Sequence, residues 1–348
     1  ALEEKVRPDA SDTLAYFADQ GVAVKVISGD NPSTVGAIAE RVGVTGADHP
    51  VDARELPERG LADALEEHSV FGRVQPHQKR AMVAALQSRG HVVAMTGDGV
   101  NDVLALKDAD IGVAMASGSA ATRAVAQLVL LDNHFAALPG VVAEGRRVIA
   151  NVERVANLFV TKTVYAMILA IVIGALTLPF PFLPRHLTIV SSLTIGIPGF
   201  FLALAPNAQR FRPGFVRRVL HFAVPAGAVA AAATFSAYAL ARAEDVSLLQ
   251  ARTTATLVLF SVGLWVLTIL ARPFTWPRQA LAVSMAVAFG VVMAIPGVRD
   301  FYALEIPPVR VLVTAVAIAA AAAMALEMGR RVAIGWERRG GGFLAHRA

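Results

Sequence analysis

Seven residues, Thr96-Gly97-Asp98-Gly99-Val100-Asn101-Asp102, carry the densest chemistry in the chain. Asp98 and Asp102 stand four apart where the apolar run Val92-Val93-Ala94-Met95 gives way to a helical pattern, so two carboxylates meet at a strand-to-helix turn. Such a pair can share a hard cation through oxygen ligands. Gly97 and Gly99 let the backbone approach a phosphate. The chemistry implied is a Mg²⁺-phosphate site. A second turn of the same kind, Ser28-Gly29-Asp30-Asn31, follows Val24-Lys25-Val26-Ile27. Polar, glycine-containing turns at the carboxyl ends of parallel strands are where open α/β sheets hold ligands.

The elements that must position these turns lie in residues 10 to about 131. Short apolar runs at Val22–Ser28, Val70–Gly72, His91–Thr96, Ile111–Met115 and Leu128–Leu131 alternate there with amphipathic stretches. That alternation predicts βαβ units and a mostly parallel, Rossmann-like sheet. After Asn151 the pattern changes to six apolar segments near 156–178, 187–205, 219–241, 253–271, 279–296 and 309–328, each close to the length that spans a bilayer. The expected division is therefore 1–150, an α/β domain; 151–330, an all-α bundle of six transmembrane helices; and 331–348, a basic tail. Charge follows the same line. Residues 1–155 hold 15 Lys+Arg against 21 Asp+Glu, while 156–348 hold 17 against 6. The positive charge thus flanks the membrane segments, and no nucleic-acid partner is expected from it. With residues 1–150 placed in the cytosol, 11 arginines fall in inside loops and tail and 5 in outside loops, which favours that orientation. The chain has no cysteine, excluding disulfides, cysteine-type zinc sites and thiolate catalysis. Only 5 of its 32 basic residues are lysine, the usage of a GC-rich bacterial genome. Ala1–Asp9 has neither the basic start nor the apolar stretch of a secretory signal, and the sequence is expected to begin inside a longer protein.

With its continuation Leu104 to Met115, the Thr96–Asp102 motif resembles that of the P-type cation-transporting ATPases of the haloacid-dehalogenase-like superfamily. The likeness extends from Arg7-Pro8-Asp9 through Ser28-Gly29-Asp30-Asn31 and Pro76-His77-Gln78-Lys79 into the first membrane segments. It implies a partial phosphorylation domain that uses ATP and Mg²⁺, followed by the family's fifth to tenth membrane helices, in a plasma-membrane protein. Asp98 would bind Mg²⁺, with Asp102 supporting the metal site. Asn101 would hold the transferred phosphoryl group, Lys79 would neutralise its charge, and Ser28 would donate a hydroxyl to it. Gly29 and Asp30 would meet the nucleotide, Asp30 at the ribose.

The departures from the family pattern carry equal weight. The family's phosphorylated aspartate lies in Asp-Lys-Thr-Gly-Thr, and this sequence contains no Asp-Lys pair. The missing upstream part of the pump is therefore an expected partner, and the sheet is expected to lack its central strand. The chain alone should neither hydrolyse ATP nor become phosphorylated. In the membrane segments, no Asp or Glu occurs from Ala156 to Ala243, and Ile195 stands where calcium-pump relatives place an aspartate. The candidates for holding a transported cation are Asn157, Thr161, Thr163, Ser191, Ser192, Thr194 and Asn207. Lys162 is either a functional intramembrane charge or a side chain that snorkels to the cytosolic face, about 12 Å along a helix from Arg154. Resemblance to bacterial calcium-type pumps makes calcium the leading cargo, with a monovalent cation or proton open. The other readings are a membrane-tethered phosphohydrolase of the same superfamily, which needs its own nucleophilic aspartate, and a non-catalytic remnant.

Overall fold

The computed structural model describes residues 6–56, 60–205, 214–273 and 275–340. Asn207 and the tail past Gly340 lie outside the described residues. Two compact units part between Glu144 and Gly145.

The first unit runs α1 (Ala10–Asp19), β1 (Val26–Ile27), α2 (Pro32–Arg41), β2 (Val51–Asp52), α3 (Leu61–Glu67), β3 (Val70–Gly72), α4 (Pro76–Ser88) and β4 (Ala94–Gly97). It continues through a 3₁₀ turn (Val100–Asp102), α5 (Val103–Asp108), β5 (Ile111–Met115), α6 (Ala120–Val125) and β6 (Leu128–Leu130). The helix starts are written locally. Asn31 Oδ1 accepts from the Ser33 amide at 3.1 Å with Pro32 in the first turn of α2, and Ser119 Oγ accepts from the Thr122 amide at 3.1 Å at the start of α6.

The strands form two parallel sheets, ordered β1-β3-β2 and β4-β5-β6. Val26 pairs with Val70 and Ile27 with Phe71 in one, and Thr96 with Val113 and Gly97 with Ala114 in the other. The sheet expected to lack its central strand is thus present as two half-sheets. The strands that carry the two polar turns, β1 and β4, are both edge strands. The expected strands starting at Val22 and His91 are shorter in the structure, and Val22 and Val92 are 48% and 80% exposed. An apolar residue on an unpaired edge has neither a ladder nor a covering layer to bury it.

Helix α4 joins the halves. Its consecutive residues Met82 and Val83 point about 100° apart. Met82 packs with Leu65 and Phe71 beside the first sheet, and Val83 with Met95 and Leu106 beside the second. Arg80 pairs with Asp108, and Gln87 Nε2 donates to Asp108 O at 3.0 Å.

The second unit holds most of α7 (Leu138–Ala175), then α8 (Pro184–Ser191), a π-helical turn (Ser192–Gly196), α9 (Ile197–Leu204), α10 (Phe215–Ala243), α11 (Leu248–Leu270), α12 (Trp276–Ala294), α13 (Pro296–Phe301) and α14 (Val309–Gly340). Among the described residues six helical stretches are long and apolar enough to cross a membrane: Phe135–Ala175, Pro184–Leu204, Phe215–Ala243, Leu248–Leu270, Trp276–Ala294 and Val309–Val332. Helix α11 is the most buried and packs against α8, α10, α12 and α14. Val283, Val287 and Val291 on α12, at helical spacing, are exposed and form a face suited to lipid. Close approach between helices depends on small residues. A Cβ on Gly227 of α10 would lie 2.6 Å from Val164 of α7, and one on Gly263 of α11 would lie 3.2 Å from Thr194 in the π-helical turn.

Candidate functional site

Strand β4 ends at Gly97, and the chain turns through Asp98 and Gly99 into the 3₁₀ turn and α5. Asp102 closes this turn from beneath: its Oδ2 accepts from the Gly99 amide at 3.3 Å, and its Oδ1 accepts from Lys79 Nζ at 2.7 Å. The pair is mostly shielded, with the Lys79 side chain 14% and the Asp102 side chain 10% exposed. Gly97 makes this possible, because a Cβ there would lie 2.7 Å from Asp102 Oδ2. Asp98 and Asn101 are exposed on the other side of the turn, and among the described residues the Asp98 carboxylate has no partner. A free carboxylate beside a glycine turn fits a Mg²⁺ ion, which takes one or two carboxylates and otherwise water or phosphate oxygens. Asp102, with both oxygens engaged, instead aligns Lys79.

The turn rests on a support that sequence reasoning did not single out. Asp98 O accepts from the Ser119 amide at 2.9 Å, and Thr122 Oγ1 lies 3.3 Å from both Asp98 O and Gly99 O. Thr122 is fully buried, and a Cβ on Gly118 would lie 2.9 Å from Asp98 O. The only signal in the sequence is Ser119 as a helix cap.

The second turn stands at the end of β1. Ser28 Oγ donates to Asp30 Oδ2 at 2.7 Å and accepts from the Asp30 amide at 3.2 Å. The Arg73 amide donates to Asp30 O at 2.7 Å and the Val74 amide to Ser28 O at 2.9 Å, which ties the turn to the end of β3. A Cβ on Gly72 would collide with Pro32 at 2.5 Å. Ser28, Gly29 and Asp30 thus form one cluster, and Lys79, Gly97, Asp98, Gly99, Asn101 and Asp102 another. Among the described residues no group of three metal-ligating side chains occurs.

In the membrane unit, the candidate residues divide by how their oxygens are satisfied. Thr163 Oγ1 donates to Phe159 O at 3.1 Å and Thr194 Oγ1 to Val190 O at 2.7 Å, the ordinary back-bonding of helical threonines. Asn157 Oδ1, Thr161 Oγ1 and Ser191 Oγ are buried without a hydrogen-bond partner among the described residues. Asn157 and Thr161 share a face of α7, and Ser191 and Ser192 stand where α8 passes into the π-helical turn, a distortion frequent at functional sites. Ser192 is exposed, and half-buried Lys162 has no ion-pair partner among the described residues.

The haloacid dehalogenase-like hydrolase family model matches residues 1–110. The calcium-transporting ATPase CtpE of Mycolicibacterium smegmatis is 55% identical over 91% of this chain, which covers 42% of that protein. The protein of the same name from Mycobacterium tuberculosis is 53% identical over 94% of this chain, which covers 43% of it. A probable cation-transporting ATPase, exp7, of Streptococcus pneumoniae is 36% identical over 80% of this chain and 37% of its own length. The chain thus spans less than half the length of the curated relatives it matches. Its haloacid-dehalogenase-like fold with parallel sheets is followed by six candidate membrane spans, the organisation of a multi-pass membrane protein. In its motifs, its fold and these relatives, the chain matches a fragment of a P-type cation-transporting ATPase.

Proposed function

We propose that the chain is the carboxyl-terminal share of an ATP-driven calcium pump that works through an aspartyl-phosphate. The observation that carries this reading is the 2.7 Å Lys79–Asp102 pair beneath an exposed Asp98. The arrangement gathers a metal ligand, a phosphate-neutralising ammonium and the Asn101 amide on one turn. Asp98 would hold Mg²⁺, which when bound neutralises charge on the transferring phosphoryl group. Lys79, aligned by Asp102, adds a fixed positive charge. Asn101 orients the phosphoryl oxygens, and the turn at Ser28 to Asp30 contributes a hydroxyl and the nucleotide contact once Ser28 releases Asp30. The attacking aspartate comes from the upstream part of the pump, on a strand that fits between the edges of β1 and β4.

Cargo rests on the names of the relatives and on the unsatisfied oxygens of Asn157, Thr161 and Ser191, with Thr163, Ser192 and Thr194 on the same segments. Hard oxygen ligands suit calcium. The arginine distribution supports a plasma-membrane protein with residues 1–150 and the tail in the cytosol. The test is ATP-driven calcium uptake into vesicles by the chain joined to its upstream part. Asp98→Asn should lower uptake by about a hundredfold or more, the scale of losing one preorganised charge partner in a transition state. Uptake at the wild-type rate would overturn the metal assignment.

A further inference from the structure

Spans that cross in alternation put three connections on one side of the bilayer, those between α7 and α8, α10 and α11, and α12 and α14. A cavity of about 430 Å³ opens on that side. Arg185 at the start of α8 and Leu249 at the start of α11 wall it, and the segment from Arg299 to Ile306 supplies the rest of the lining. That segment is firmly held. Arg185 Nη1 donates to Phe301 O at 2.8 Å, Nε2 of fully buried His186 lies 3.0 Å from Ala303 O, and the Glu305 amide donates to Thr253 Oγ1 at 2.9 Å.

The charges that line the cavity do not neutralise one another. Among the described residues neither the Arg299 guanidinium nor the Asp300 carboxylate makes a hydrogen bond or an ion pair, although both face the same space. Consecutive residues on α13 point about 100° apart, which keeps these two from closing on each other. The Glu305 carboxylate accepts from neutral donors, Ser247 Oγ at 2.7 Å and Gln250 Nε2 at 3.2 Å, and so keeps its charge. Arg185 has given one N–H to a carbonyl, and among the described residues no carboxylate pairs with it. The lining therefore offers two guanidinium groups and two carboxylates, with a net charge of zero and both signs open. Such a lining complements a zwitterion, since guanidinium forks match phosphate oxygens and carboxylates accept from an ammonium. An anion alone or a cation alone would leave one pair unmet.

Depth in the bilayer decides the source of that zwitterion. Ile295, just past α12, is 46% exposed, Val309 at the start of α14 is 76% exposed, and Phe301 between them is 70% exposed. Large apolar side chains bared at the ends of spans belong at the boundary of acyl chains and headgroups. A phosphate joined to an N–H-donating ammonium is, at that depth, the headgroup of phosphatidylethanolamine.

We propose that this cavity binds the headgroup of phosphatidylethanolamine, with the phosphate on Arg185 and Arg299 and the ammonium on Asp300 and Glu305. The test uses the chain joined to its upstream part, in nanodiscs holding equal phosphatidylethanolamine, phosphatidylcholine and phosphatidylglycerol, with retained lipid counted by native mass spectrometry. Wild-type protein should retain phosphatidylethanolamine about tenfold over phosphatidylcholine, whose quaternary nitrogen has no N–H to donate, and over phosphatidylglycerol, which has no cation; tenfold is the worth of one charge-assisted contact. Arg299→Gln should lower its occupancy about tenfold. Asp300→Asn should instead exchange it for phosphatidylglycerol, because the lining then carries a net positive charge, and a misfolded cavity would not produce that change of preference. Equal retention of the three lipids by the wild type would overturn the proposal, as would an unchanged preference in the double variant Arg299→Gln, Asp300→Asn. Soluble glycerophosphoethanolamine bound as tightly as the lipid would leave the zwitterion site and overturn its membrane source.

Discussion

At Gly97 a single hydrogen in place of a side chain decides whether Asp102 can reach its position. The Asp102 carboxylate fills the space a Cβ would occupy, at 2.7 Å, and from there it orients Lys79. Gly97→Ala must push Asp102 off the end of β4 and separate the ion pair. The local opening free energy of α5, read from amide hydrogen exchange, should fall by about 1–3 kcal/mol, the usual cost of overpacking a filled site. Unchanged exchange at Leu104 to Leu106 would mean that the turn relaxes without strain. The carboxylates four apart and the two glycines were legible in the sequence because type and spacing alone give them their chemistry. The roles within the group were not. That Asp102 engages Lys79 while Asp98 stays free depends on α4 crossing beneath the turn, a contact between residues 23 positions apart. Thr122 was silent for the same reason, since a buried threonine supporting a backbone turn has the same local sequence as one on a helix surface.

Among the elements, β4 depends on an anchor at its start. Asp110, just ahead of β5, accepts from the Val93 amide at 2.8 Å and from Gln87 Nε2 at 3.2 Å. These bonds, the backbone one foremost, hold the Asp110 carboxyl below the usual carboxylate range. A lowered native pKa stabilises at pH values above the unfolded pKa, and that contribution is lost as pH falls through the lowered value. Hydrogen-exchange protection of β4 in the membrane-embedded protein should therefore be greater in the wild type than in Asp110→Asn at neutral pH. The gap should close on acidification, and a gap independent of pH would discount the carboxylate. Most elements were legible, since long apolar runs give the six spans and Val- and Ile-rich runs give β3, β5 and β6. Strand β2 escaped notice because Val51–Asp52 is two residues long and is defined by pairing with β3, not by any pattern of its own. The π-helical turn at Ser192–Gly196 was equally unreadable, because it arises where the helix meets Pro198 and packs its Thr194 against Gly263.

For the molecule as a whole, the two half-sheets raise the question of what completes them. Helix α4 ties the halves through Met82, Val83, Lys79 and Arg80, yet β1 and β4 each keep one unpaired edge. Edge strands with open amide and carbonyl rows invite another strand. The proposed function supplies one, the strand that bears the nucleophilic aspartate of the upstream part. Two consequences separate this arrangement from a self-sufficient enzyme. Incubated with radiolabelled ATP and Mg²⁺, the chain by itself should take up no acid-stable, hydroxylamine-sensitive label, because positioning groups without an attacking carboxylate transfer nothing. Co-expression with the upstream part as a separate polypeptide should restore the label and slow hydrogen exchange at Val26, Ile27, Met95 and Thr96, while β3 and β5, already paired on both sides, change little. Labelling of the isolated chain would point to a nucleophile of its own. Restored labelling without protection of β1 and β4 would mean that the aspartate reaches Asp98 and Lys79 from outside the sheet, leaving the two edges open in the working pump.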